Sequence, residues 1–251
     1  MILRRVIEHF KKQEWTAIAL DFLIVVVGVF VGMQVTNWNE ARADRATVVR
    51  HLSEIAEDLQ AQIDFDATIR VSALARIAAV DYVYDKAFGV KLPNSVVLST
   101  ESWPIPPQAP IPEERLDNLL GSINLIRVNV GMRSGYESLI SAGHLGMIEN
   151  KDIARKIQIY YADFDDLLDA NNTFRGFRNN GVAQMYAHGL SSFDERPAEE
   201  IVALARENPD FAAYLRTTRE WAAIHLGIAS RVRRNTETLL GEINAELERL
   251  S

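Results

Sequence analysis

The chain has 251 residues, a net charge of −7 and a pI near 5.3, which excludes a domain-wide basic surface for nucleic acid. It contains no cysteine, so disulfides, iron–sulfur clusters and thiolate zinc sites are excluded. The length suffices for one large domain or two small ones.

In chain order, "MILRRVIEHFKKQEW" places Ile2, Leu3, Val6, Ile7 and Phe10 on one helical stripe, with Arg4, Arg5, Lys11 and Lys12 away from it. Residues 1–15 therefore read as a cytoplasmic amphipathic segment on an anionic leaflet. The run Ala17–Thr36 is apolar on all sides. Its length corresponds to about 30 Å of helix, enough to cross the hydrocarbon core, so residues 16–37 are expected to form a transmembrane helix. Trp15 and Trp38 bracket the span as interface anchors. Basic residues before it (Arg4, Arg5, Lys11, Lys12) narrowly outnumber those just after it (Arg42, Arg45, Arg50). That places the N-terminus in the cytoplasm and residues 38–251 in the periplasm of a bacterial inner-membrane protein. "ARA" at 41–43 has the spacing of a signal-peptide cleavage site, but Trp38-Asn39-Glu40 and the long apolar run favour a retained anchor.

At 100° per residue, Asp21, Gly28, Gly32 and Asn39 share one face of this helix. Glycines four apart allow close backbone approach, so the face is expected to pack against a second copy or another membrane protein. Asp21 lies near the cytoplasmic edge, where a carboxylate costs less than at the centre of the span.

Beyond Glu40, apolar residues at Val48, Val49, Leu52, Ile55, Leu59, Ile63, Ile69, Leu74, Ile77 and Val80 recur at helical spacing, with no proline or glycine from Met33 to Phe88. Gly89 and Pro93 stop this long helix. Residues 90–112 hold six of the eight prolines and read as an extended connector rather than a packed strand. A short helix in "EERLDNLLGSINLIRV" follows, then a short helix, a glycine-rich turn and a long helix capped by Asn150. Ile153, Ile157, Tyr160, Tyr161, Phe164, Leu167 and Leu168 form that helix's buried stripe. Pro197 heads another short helix, and a final helix of about 40 residues begins near Asn208. No alternating strand pattern emerges, so the fold class is all-α: one transmembrane helix continuing into an antiparallel helical bundle.

Two stretches carry a resemblance. "LIVVVGVFVGMQVTNWNE" and "SGYESLISAGHLGMIENKDIARKIQIYY" together resemble a group of bacterial single-pass membrane proteins grouped as a domain of unknown function, with an anchor ending in an Asn-Trp-Asn-Glu box. The second stretch matches through Leu139, Ile140, Gly143, Leu145, Ile148 and Asn150. The resemblance implies a helical single-pass membrane protein and brings no activity with it. "ALDFLIVVVGVFV" also resembles the anchors of proton-driven stator subunits, but nothing downstream is similar to their α/β domain.

Chemistry-bearing patterns are sparse. His9, His51, His144, His188 and His225 are scattered, and there is no nucleophile elbow or phosphate loop. "DFDDLLDANN" lacks the glycine of a calcium loop. "RVRRN" at 231–235 is either a contact for phosphate or an acidic partner, or a solvated face balanced by nearby glutamates. No enzyme, cofactor or metal is expected. Lipid and a partner helix are the expected contacts, and a small-molecule ligand is left open. The function expected is a non-enzymatic interaction or sensing module. The alternative is an accessory subunit of a proton-driven or transport complex that uses Asp21.

Overall fold

A computed structural model describes residues 15–99, 101–127, 131–191 and 194–251. The amphipathic segment expected at 1–15 lies outside the described residues except for the backbone of Trp15. Among the described residues helix takes 80% and strand 4%, so the fold class is all-α as expected. The chain divides between Arg50 and His51 into two units.

Helix α1, Trp15–Phe88, forms because no helix breaker intervenes over most of its length. It ends where Gly89 adopts φ +65° and donates its N–H to the Asp85 carbonyl at 2.9 Å. In the first unit the helix buries none of its apolar side chains between Leu20 and Val35; Phe22 is 70% exposed and Phe30 60%. One helix is thus long and apolar enough to cross a membrane.

The second unit begins at His51 and has its own core. After α1 comes a β-hairpin that the sequence pattern did not announce. Strands β1 (Ser95–Leu98) and β2 (Glu101–Pro104) pair antiparallel, with Val96 opposite Trp103. The connector is therefore partly strand, a correction to the purely extended reading. Each strand is only four residues long, and Pro104 sits on the last rung, opposite Ser95. A proline there forfeits a single donor at the strand's end. A 3-10 turn (Glu113–Asn118) leads into α2 (Leu119–Asn124). Helix α3 (Ser134–Ser141) and a second 3-10 turn (His144–Met147) precede the long α4 (Lys151–Ala187). Helices α5 (Ala198–Glu207) and α6 (Pro209–Leu250) complete the chain.

Asn150 caps α4 as expected, its side chain accepting the Ile153 N–H and donating to Glu246 on α6 at 3.1 Å. Asn208 caps α6 in the same way through the Phe211 N–H, with Pro209 at the first helical position. Most of the expected stripes are buried: Leu52, Ile55, Leu59, Ile69, Ile77 and Val80 on α1, and Ile153, Ile157, Tyr160, Tyr161 and Phe164 on α4; Val49, Leu74 and Leu168 are half-buried, and the Leu167 side chain lies outside what is described. Phe211, Leu215, Ala222, Ala223 and Leu226 complete the core from α6.

Polar contacts fix the order in which α6 meets its neighbours. Tyr84 donates to the Ala212 carbonyl, Asp81 pairs with Arg219, and Arg76 meets His225, so rising numbers on α1 match falling numbers read back along α6. Helix α4 meets α6 in the same reversed order, through Lys156–Glu242, Tyr160–Thr236 and Phe177–Trp221.

Candidate functional site

Asp21, Gly28, Gly32 and Asn39 all lie exposed on α1 within the first unit. A Cβ added at Gly28 or Gly32 would meet nothing within 4 Å, so the notch they form is open. Thr36 returns its hydroxyl to the Gly32 carbonyl at 3.1 Å and stays on the helix. Trp38 is exposed, with the Arg42 guanidinium 6.0 Å from its ring centroid. The Trp15 side chain lies outside what is described.

The second unit has two kinds of candidate site. A groove of about 810 Å³ opens between the end of α1 and the proline segment, with Asp81, Tyr82, Lys86, Pro107 and Arg219 in its lining. Its arginine is already satisfied: Arg219 is bound by both oxygens of Asp81 at 2.6 and 3.3 Å and donates to the Pro93 carbonyl. Asp85, Lys86 and Lys91 supply the remaining charges of its lining, of both signs.

A second groove, of about 570 Å³, lies between α1, β2 and α6, lined by Arg70, Trp103, Arg231 and Arg234 among others. A hollow of about 370 Å³ shares Arg70, Ser230 and Arg234 with it and adds Asp66, Arg233 and Glu237. Three of these four arginines, Arg231, Arg233 and Arg234, come from "RVRRN". Arg70 and Trp103 join them from far upstream in the chain, which one-dimensional spacing could not reveal.

The interior also holds polar groups. Arg76 is 0% exposed; burial lowers its pKa to about 10, and its Nη2 lies 3.4 Å from His225 Nδ1. Burial, reinforced by Arg76, holds His225 down at about 3, so the imidazole is neutral and can accept this contact. Asp66 is 2% exposed and accepts from Gln62 Nε2 at 2.8 Å. Burial pushes its carboxyl up to about 6, against the opposing pull of Gln62 and Arg233. Burial likewise lifts Tyr160 to about 12, and its hydroxyl shares a hydrogen bond with Thr236. Arg76 and His225 are both buried and line none of these three grooves. Among the described residues no cluster of His, Asp and Glu could hold a metal ion.

Comparison with family models, curated proteins and solved structures gives no match.

Proposed function

We propose that the chain is a membrane-anchored, non-enzymatic interaction or sensing protein of the bacterial inner membrane. A single span holds it with the N-terminus in the cytoplasm, and the helical bundle from His51 onward is displayed in the periplasm. The observation carrying this reading is the contrast within α1: every described residue from Ala19 to Ala46 is exposed, while Leu52, Ile55 and Leu59 are 0% exposed. Water does not tolerate so long an all-round apolar surface, and lipid or another apolar helix covers it.

Gly28 and Gly32 supply the association face, with Asp21 and Asn39 as polar groups at its ends. Bulk at the glycines should separate association from anchoring. Gly28→Ile with Gly32→Ile is expected to abolish crosslinked dimers in membranes while the chain stays in the membrane fraction, whereas Asp21→Asn leaves the dimers intact. Crosslinked dimers undiminished in the double isoleucine variant would remove the glycine face from the mechanism.

A further inference from the structure

We propose that the groove between α1, β2 and α6 is a binding site for a phosphate-bearing ligand, held by Arg70, Arg231 and Arg234 against Trp103. The inference concerns the second unit alone, and it stands or falls independently of association through the span.

The fold seats Trp103 on a bare patch of helix. A Cβ built at Gly227 would overlap the Trp103 ring, so the indole lies directly on the α6 backbone where only glycine leaves room. One turn later Arg231 brings its guanidinium to 5.8 Å from the ring centroid. Ring and guanidinium thus hold each other in place, which lowers the ordering cost of a ligand contact. The indole Nε1 is shielded from solvent and has no acceptor among the described residues.

The charge balance in the groove is positive. Arg233 is neutralised by Glu237 at 2.8 Å, one turn away. Arg70 and Arg234 make no ion pair among the described residues, and Arg231 has only the indole. Of the carboxylates nearby, Glu237 is occupied by Arg233, which leaves Asp66 and Glu101 against three guanidinium groups and a net positive charge. Planar, always-charged forks of N–H donors match the oxygens of phosphate, and its double negative charge answers several guanidinium groups better than the single charge of a carboxylate. Three of them at one open groove of several hundred Å³ give room for more than a lone ion.

The test uses the full chain in phosphatidylcholine nanodiscs, titrated calorimetrically with inorganic pyrophosphate. Saturable binding that weakens with added salt is expected, with at least a tenfold loss in Arg70→Gln/Arg234→Gln and no change in Arg155→Gln, an exposed arginine on α4. Doping the same discs with phosphatidylglycerol separates the sources of the phosphate: lost pyrophosphate affinity assigns a lipid headgroup, and retained affinity a soluble ligand. Absence of saturable binding, or equal binding by a double variant that melts like wild type, would overturn the site.

Discussion

Two buried side chains oppose each other in pH dependence. His225 is held near 3 in the folded chain against an ordinary 6.5, so the unfolded chain binds its proton first. Its stabilising contribution is full above 6.5 and is lost as pH falls toward 3. Asp66 does the reverse: raised from 3.8 to about 6, its contribution is full below 3.8 and is lost as pH rises through 6. Between pH 4 and 6 the two slopes, each up to about 1.4 kcal/mol per pH unit, therefore cancel in large part. Asp66→Asn should gain stability relative to wild type as pH rises through this window, and His225→Gln should lose it. Urea unfolding at pH 4, 5 and 6 reads both signs; two variants running parallel to wild type would contradict the assignment. Of the two burials, that of Asp66 was not legible in the sequence. The spacing marks Ile77 and Val80 as core, and His225, between Ile224 and Leu226, reads as a packed or partly exposed ring, whereas nothing in the pattern marks Asp66 or Arg76 as buried. The width of the buried face is set by how many helices surround it, and that is a tertiary property.

At the scale of elements, α3 shows what a short helix needs to stay docked. Asp58 on α1 accepts from the Ser134 hydroxyl at 2.8 Å and from the Gly135 N–H at 2.6 Å, serving as a cap supplied from another element. Gly135 is the price of that approach, since a Cβ there would lie 2.7 Å from the backbone at Glu54 and Ile55. Alanine gains about 1 kcal/mol of helix propensity over glycine, whereas overpacking against rigid backbone costs about 1–3 kcal/mol. Gly135→Ala is therefore expected to destabilise by up to about 2 kcal/mol. Gly241→Ala, in the interior of α6 with nothing within 4 Å, is expected to stabilise by up to about 1 kcal/mol. Denaturant midpoints moving in the same direction for both variants would refute the packing argument. The helices themselves were legible because their stripes, Asn150 and Asn208 are local signals. The hairpin was not. Its strands are four residues each, Pro104 masks the second, and Val96 and Trp103 are half-buried through contacts that come from elsewhere in the chain. The arginine groove shares this cause: "RVRRN" stood out, but its partners Arg70 and Trp103 arrive only through folding.

At the scale of the whole molecule, apolar surface and folded core are separated along the sequence. Exposed large apolar side chains crowd positions 20–35, whereas buried ones begin at Val48. Each Leu, Ile, Val or Phe of the first group favours the bilayer by about 0.3–0.6 kcal/mol, and their sum outweighs Asp21 placed near an edge. None of the core of the second unit depends on those side chains, because they are exposed rather than packed. Removal of residues 1–43 should consequently leave a chain that is soluble without detergent, retains its helical circular dichroism and unfolds in one cooperative transition. The full chain should float with phosphatidylcholine liposomes, and the shortened one should stay in the aqueous fraction. A shortened chain that aggregates or unfolds without a transition would show that α1 before Asp44 contributes to the core. One that is folded yet still floats would show that the membrane contact lies in the helical domain and not in the exposed apolar stretch.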